Sequence, residues 1–241
     1  YYILGKGSNV LFADEGYPGV IIEIGAGMEK VERTGDTGIR AQAGVSLSAL
    51  AAFAAREGLS GLEFAGGIPG TLGGAVTMNA GAYGGEMKDV IVSAKVMDEE
   101  GAVQELSCEE LHLGYRTSII QKKQLVVLEA EFLLKLGTTE EIQNTMKELN
   151  AKRREKQPLE YPSAGSTFKR PEGYFAGKLI EDAGLRGYRV GDAQVSEKHC
   201  GFVVNRGKAT CVEVLQLIGD VQKTVKEQFG VQLEPEVRII R

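Results

Sequence analysis

Residues 66–84 read GGIPGTLGGAVTMNAGAYG, and no other segment of the chain restricts the possible fold as strongly. Glycine packs no side chain and loses more conformational entropy on ordering than other residues, so a plain scaffold gains little from this composition. Backbone N–H groups without neighbouring side chains suit a loop that wraps closely around a phosphate-bearing ligand. Because Ile68, Leu72, Val76 and Met78 interrupt the glycines, we expect a packed segment; a mobile surface loop is the alternative.

A shorter glycine loop, GKGSN at residues 5–9, lies earlier in the chain. This first glycine loop follows the apolar pair Ile3-Leu4 and precedes the sequence VLF at residues 10–12. This order predicts a strand, a glycine turn and a second strand. Lys6, the Ser8 hydroxyl and the neighbouring backbone N–H groups are suited to a diphosphate. The chain has neither a Gly-x-x-x-x-Gly-Lys-Ser/Thr motif nor a Gly-x-Gly-x-x-Gly motif that opens a helix, which argues against a P-loop kinase and a Rossmann dehydrogenase.

The composition favours a cytoplasmic protein. The chain has 241 residues and a net charge of -5, so its charge gives no reason to expect nucleic acid or an anionic membrane as a partner. Its cysteines lack a Cys-x-x-Cys spacing, which fits a reducing compartment, and its two histidines do not suggest a zinc site. No apolar run approaches the roughly 20 residues of a membrane-spanning helix, and no signal peptide opens the chain. Because the chain begins at Tyr1 within a predicted strand, we expect a further N-terminal segment in the complete protein.

Apolar runs, caps and turn residues predict a mixture of strands and helices. Strands are expected at residues 20–24, 39–43, 90–97, 103–106, 125–136, 200–205 and 231–240, with a hairpin turn at 98–101. Helices are expected at residues 46–56, 138–156, 174–182 and 210–229; Ser46 caps the first, and Thr210 with Glu213 forms a capping box for the last. The pattern changes near Pro158, where we expect a domain boundary.

Six motifs follow one another along the chain: LGKGSN at 4–9, GIPGTLGG at 67–74, NAGAYG at 79–84, GYR at 114–116, AGSTFK at 164–169 and EPEVR at 234–238. Together they resemble the UDP-N-acetylenolpyruvoylglucosamine reductase family, the MurB-type flavoenzymes, and the match extends from end to end. The resemblance implies an α+β fold. Residues 1–158 would form an FAD-binding domain of the vanillyl-alcohol-oxidase type, residues 159–230 a smaller α+β substrate-binding domain, and residues 231–241 a return strand to the flavin domain. The short connection between the fourth and fifth of these motifs resembles the branch of the family that lacks an inserted tyrosine loop.

The resemblance also implies which residues form the site. The implied residues for a non-covalent FAD are Gly5, Lys6, Gly7, Ser8, Asn9, Gly67, Ile68, Pro69, Gly70, Gly73, Gly74, Asn79, Gly81, Ala82 and Tyr83. The implied catalytic residues are Arg116, Ser166 and Glu236, and the implied substrate-binding residues are Tyr115, Lys156, Lys169 and Arg170. No metal is expected.

Two of the implied catalytic residues have simpler interpretations when considered alone. Arg116 is by itself a solvated surface cation, whereas the matching arginine of the family stabilises charge on the enolpyruvyl carboxylate. Ser166 is by itself a turn or capping serine, whereas in the family it donates a proton to the substrate carbon. A serine is a weak acid, so Lys156, Lys169 or water would have to assist it.

The third, Glu236, is able to pair with Arg238. The family implies instead a carboxyl with a raised pKa that stays protonated and donates a hydrogen bond, and Glu234 is the neighbour with which it can be confused. Lys156, Lys169 and Arg170 are cations that suit the diphosphate of the substrate. Lys156, however, belongs to a charge run at residues 152–156 that is by default a solvated helix end. Many family members have Asn at the position of Arg170, so its particular contact stays open.

The resemblance implies an enzyme that uses NADPH, through FAD, to reduce UDP-N-acetylglucosamine-enolpyruvate to UDP-N-acetylmuramate. This is a step of peptidoglycan synthesis, and it would connect the protein to cell wall formation, cell shape and cell division. A monomer or weak oligomer is expected. An FAD-dependent oxidase of the same fold and a non-catalytic nucleotide-sugar binding module are the alternatives.

Overall fold

Short runs of apolar and β-branched residues form strands along the whole chain, and six segments with caps or an apolar face form α-helices. The computed structural model describes residues 1–241. The strands are β1 (Tyr2–Leu4), β2 (Val10–Phe12), β3 (Ile21–Glu23), β4 (Val31–Thr34), β5 (Gly38–Gln42), β6 (Leu59–Ser60), β7 (Gly81–Ala82), β8 (Gly85–Glu86), β9 (Ile91–Met97), β10 (Val103–Ser107), β11 (Val126–Leu133), β12 (Lys135–Leu136), β13 (Ser163–Ser166), β14 (Arg189–Val190), β15 (Ala193–Val195), β16 (Phe202–Asn205) and β17 (Arg238–Ile240). The helices are α1 (Leu47–Arg56), α2 (Leu72–Thr77), α3 (Ile119–Lys122), α4 (Thr139–Lys156), α5 (Ala176–Asp182) and α6 (Cys211–Phe229).

The contacts divide the chain into two units, each made of two segments. Unit 1 comprises Tyr1–Lys6 and Ile21–Arg153, and unit 2 comprises Gly7–Val20 and Arg154–Arg241. Residues 231–241, which we assigned to the flavin domain as a return strand, thus lie in unit 2. The reason is that β17 pairs in parallel with β2, which belongs to the same unit. The functional assignment of the predicted domains stays a prediction.

Unit 1 is built on a five-stranded antiparallel sheet in the order β10-β9-β11-β5-β4. The predicted β9–β10 hairpin is confirmed: Met97 pairs with Val103, and the turn uses Gly101 at φ +84°. Side chains from the central strands, including Ile39, Val96 and Phe132, form the core of the unit. Helix α1 is also confirmed, because the Ser46 Oγ accepts the Ala49 N–H at 3.2 Å.

The glycine-rich segment of unit 1 is packed. Glu63–Gly67 form a 3₁₀ turn, and α2 follows with Leu72 and Val76 fully buried. A Cβ at Gly73 would lie 3.1 Å from the Cβ of Ala43, so glycine permits the close approach of two main-chain segments there. The expectation of a packed segment is confirmed, and the mobile-loop alternative is wrong.

Unit 2 is a four-stranded antiparallel sheet, in the order β13-β16-β15-β14, with its longest helix, α6. The predicted capping box is confirmed, since the Thr210 Oγ1 accepts the Glu213 N–H at 3.2 Å and the Glu213 Oε2 accepts the Thr210 N–H at 3.1 Å. The helix ends at Gly230, whose φ is +69°. The apolar stripe of α6 is buried in the core of the unit, at Leu217, Ile218, Val221 and Val225.

The predicted strand at residues 231–240 needs correction, because β17 is shorter. Residues 231–237 do not continue β17 upstream, because Pro235 has no N–H to donate to a ladder and forms only an isolated bridge with Phe168. The strands predicted on either side of the first glycine loop are confirmed as β1 and β2; β1 pairs with β3 in unit 1, and β2 pairs with β17 in unit 2. The loop therefore connects two different sheets.

Candidate active site

In unit 1, Arg116 lies in a tight turn that is closed by two hydrogen bonds between Gly114 and Thr117, of 3.1 and 3.2 Å. Its backbone is left-handed, with φ +54°. The guanidinium donates to two main-chain carbonyls of the glycine-rich segment, Asn79 O at 3.4 Å and Gly81 O at 3.2 Å. Arg116 is thus held in one orientation, which a solvated surface cation would not be.

The turn is also fixed from its C-terminal side. The buried Ser118 donates through its Oγ to Thr77 O at 2.7 Å, and the Gln121 Nε2 donates to Thr77 O at 2.7 Å and to Arg116 O at 3.2 Å. The ring of Tyr115 is 50% exposed and lies 5.1 Å from the Arg116 guanidinium. The predicted substrate-binding role of Tyr115 stays a prediction.

Some of the glycines predicted to hold the cofactor in unit 1 lie where an added Cβ would collide with neighbouring protein atoms. A Cβ at Gly5 would contact the Thr71 Oγ1, so the first glycine loop and the second meet directly. At Gly81 a Cβ would lie 2.7 Å from the Gly85 carbonyl oxygen. Packing within the protein thus requires glycine at positions 5 and 81, and the scarcity of side chains along these segments also suits close approach of a dinucleotide diphosphate to the backbone.

Arg153 lies in the charge run at residues 152–156, which by itself predicts a solvated helix end. It is half-buried, and its Nη1 lies 3.1 Å from the position that a Cβ of Gly67 would take. Burial lowers the pKa of Arg153, against the opposing effect of Tyr83. Met146, Asn150 and Arg153 share one face of α4, and this helical spacing can be read from the sequence. Their packing against Gly66 or Gly67 is visible only in the structure.

In unit 2, the segments that carry Ser166 and Glu236 lie side by side. The Glu236 N–H donates to Thr167 O at 2.8 Å, and the Lys169 N–H donates to Glu234 O at 2.8 Å. Ser166 is exposed, and its Oγ has no hydrogen-bond partner in the protein. The structure therefore brings two of the three predicted catalytic residues together within one unit.

Ser8 and Asn9, in the first glycine loop, lie beside the segments that carry Ser166 and Glu236. The Asn9 Nδ2 donates to Glu236 O at 3.2 Å, and the Arg238 N–H donates to Asn9 O at 3.0 Å. The Ser8 carbonyl lies 4.0 Å from the position of a Cβ on Gly165, whose φ is +79°. The loop is thus placed beside the Ser166 and Glu236 segments.

The two glutamates of the EPEVR motif have different surroundings. Glu234 has a 70% exposed side chain that pairs with Lys169, with 3.2 Å between its Oε2 and the Lys169 Nζ. Glu236 is half-buried beside Asn9. The geometry favours Glu236 over Glu234 for the role of a partly desolvated acid.

The predicted diphosphate cations are placed unequally. Arg170 stacks its guanidinium 4.0 Å from the ring centroid of Phe175 and donates through Nε to Tyr174 O at 3.3 Å, so it is engaged within its own loop. Lys156 is exposed at the end of α4. Both substrate-binding assignments stay predictions.

No group of three or more His, Cys, Asp or Glu side chains is placed to hold a metal ion. No helix combines the length and the apolar character needed to cross a membrane. The three cysteines are free, and burial raises the pKa of the Cys200 and Cys211 thiols.

Comparison with known proteins gives matches in both halves of the chain. Residues 1–107 match the FAD binding domain family, and residues 157–240 match the C-terminal domain of UDP-N-acetylenolpyruvoylglucosamine reductase. The curated UDP-N-acetylenolpyruvoylglucosamine reductase of Lachnoclostridium phytofermentans is 61% identical over 99% of this chain and 78% of its own length. That of Agathobacter rectalis is 58% identical over 99% of this chain and 79% of its own length.

A solved structure agrees with these relatives. The crystal structure of UDP-N-acetylenolpyruvylglucosamine reductase (MurB) from Thermus caldophilus superimposes with a TM-score of 0.87 at 40% identity, over 100% of this chain and 85% of that one. The predicted fold class, an FAD-binding domain followed by a smaller α+β domain, is confirmed. This chain belongs to the UDP-N-acetylenolpyruvoylglucosamine reductase (MurB) family of FAD-dependent oxidoreductases.

Proposed function

We propose that this protein reduces the enolpyruvyl group of UDP-N-acetylglucosamine-enolpyruvate to give UDP-N-acetylmuramate, with NADPH as the hydride source, in peptidoglycan synthesis. The observation that carries the proposal is the 58–61% identity to curated reductases over 99% of this chain. The cytoplasmic location and the monomeric or weakly oligomeric state stay predictions.

The cofactor FAD would be held by the two glycine segments, residues 5–9 and 67–83. Support comes from Gly5, where an added Cβ would meet Thr71, and from Gly7 and Asn9, whose N–H groups have no acceptor in the protein. Neither segment contains a Cys or His that could form a covalent attachment, so the cofactor is proposed to be non-covalent. When bound there, FAD would supply a two-electron carrier between NADPH and the substrate.

The side chains of the protein would then stabilise the charge that develops on the substrate and supply a proton. Hydride addition to the terminal vinyl carbon places negative charge on the substrate carboxylate, which the planar Arg116 guanidinium is suited to stabilise. Glu236, in its protonated form, would donate a further hydrogen bond to this charge. The Ser166 Oγ–H would give its proton to the carbon next to the carboxylate, and solvent can restore that proton because Ser166 is exposed.

Lys156, Lys169 and Arg170 would neutralise the substrate diphosphate in a protein whose net charge is -5. The test is a turnover assay with the purified full-length protein. We expect NADPH oxidation to require the enolpyruvyl sugar and to yield a product two hydrogen atoms heavier. Rapid NADPH oxidation by oxygen without the sugar would favour an oxidase, and a colourless protein that binds the sugar without turnover would favour a binding module.

A further inference from the structure

Asn79 is a buried polar residue whose contacts a cofactor-binding role does not explain. Its side chain is 0% exposed, and its Nδ2 donates to Glu86 Oε2 at 2.9 Å and to Gly114 O at 3.1 Å. Its Oδ1 accepts the Lys88 N–H at 3.0 Å, and its own N–H donates to Val76 O at 3.2 Å. An amide nitrogen offers two donors, so all the N–H groups of Asn79 are engaged within unit 1.

Asn79 makes hydrogen bonds to the Arg116 turn at two points. The Asn79 side chain holds the Gly114 carbonyl at the start of the turn, and the Asn79 carbonyl accepts Arg116 Nη1 at 3.4 Å. Both residues have left-handed backbones, with φ +42° at Asn79 and +54° at Arg116. Such conformations are uncommon for residues other than glycine and persist where the surroundings fix them.

We propose that Asn79 is a positioning residue that fixes the turn and the guanidinium of Arg116, and that it is not a ligand of the cofactor. This rests on the proposed role of Arg116 at the substrate carboxylate. A guanidinium is a rigid fork, so contacts to two carbonyls determine the plane in which it meets a carboxylate. Displacement of a reacting group by about 1 Å is enough to cost about 10²-fold in rate.

The test is a double-mutant cycle of Asn79 and Arg116 in the flavin-loaded full-length protein. Asn79→Gly keeps the positive φ and the main-chain carbonyl but removes the side chain, and Asn79→Asp keeps the shape but removes the Nδ2 donors. Anaerobic stopped-flow would measure flavin reduction by NADPH and flavin reoxidation by the enolpyruvyl sugar separately. We expect reoxidation to slow by about 10- to 100-fold in both Asn79 variants, while reduction by NADPH changes less than about 2-fold.

In the Arg116→Ala background, the same Asn79 substitutions should slow reoxidation by less than about 2-fold, because a positioning residue acts only through its partner. Gln124→Gly is the matched control. Gln124 is exposed, has φ +52° and lies outside this network, so both half-reactions should be unchanged.

Additive losses in the double variant would overturn the proposal, as would equal slowing of both half-reactions. Loss of bound flavin from both Asn79 variants would also overturn it, because the residue would then support the cofactor. If Arg116→Ala alone leaves reoxidation at the wild-type rate, the proposed role of Arg116 fails. If that variant is slow and the Asn79 variants are not, only the positioning role fails.

Discussion

Replacement of Ser166 by alanine should separate catalysis from stability. Ser166 is exposed at the end of β13 and its Oγ has no hydrogen-bond partner in the protein, so Ser166→Ala should change the free energy of unfolding by no more than about 0.5 kcal/mol. Loss of a positioned proton donor typically slows a reaction by about 10²–10⁴-fold. That range corresponds to about 2.7–5.4 kcal/mol in activation free energy, well above any effect on folding.

The assay is anaerobic stopped-flow with the flavin absorbance as the signal. Reduction by NADPH should proceed at the wild-type rate, because Ser166 is assigned only to the second substrate, whereas reoxidation by the enolpyruvyl sugar should be slower by at least about 10²-fold. Ser163→Ala is the matched control, since Ser163 is exposed on the same strand and outside the proposed chemistry. Equal slowing of the two half-reactions, or the same loss in the Ser163 variant, would refute the proton-donor role.

Four further predictions follow from particular positions. Gly70→Val should lose flavin because Gly70 has φ +147°, whereas Gly219→Ala in α6, where a Cβ meets open space, should retain it; flavin content of the purified variants checks this. Acid precipitation of the wild-type protein should release the flavin into the supernatant, and pigment that stays in the pellet would contradict non-covalent binding. Glu236→Gln should keep more of the reoxidation rate than Glu236→Ala, whose loss should be about 3 kcal/mol in activation free energy, as for an oxyanion donor; equal losses would indicate a proton carrier instead. Burial lowers the pKa of His199 below 6.5, so the unfolded state binds more protons and stability should fall as the pH drops below 6.5; urea midpoints should show a smaller fall for His199→Gln.

Much of the fold could be predicted because its signals are local. The capping box of α6, the Ser46 cap of α1 and the β9–β10 hairpin each depend on a few neighbouring residues. Local patterns predicted these elements to within two residues, because short-range hydrogen bonds decide where they begin and end.

The pairing of β2 with β17 could not be predicted in the same way. These strands are separated by more than two hundred residues, and nothing in either segment indicates its partner. Pro235 is a local signal whose consequence was underestimated, since it prevents residues 231–237 from forming a regular strand.

The candidate site likewise has residues that local motifs identify and contacts that only the structure shows. The motifs identified Ser166 and Glu236, and the structure brings their segments together by a hydrogen bond between Thr167 and Glu236. The contacts of Asn79 with Arg116, and of Arg153 with Gly67, join segments far apart in sequence and become visible only in three dimensions. Sequence patterns thus identified the chemistry-bearing residues, whereas their supports required the structure.

The central claim, a flavin that passes electrons from NADPH to an enolpyruvyl sugar, is tested most directly by one anaerobic absorption experiment on the purified full-length protein. We expect the spectrum of oxidised flavin, its bleaching by one equivalent of NADPH, and its full return when UDP-N-acetylglucosamine-enolpyruvate is added in the absence of oxygen. A protein without flavin, or a reduced flavin that the enolpyruvyl sugar fails to reoxidise while oxygen does so rapidly, would contradict it.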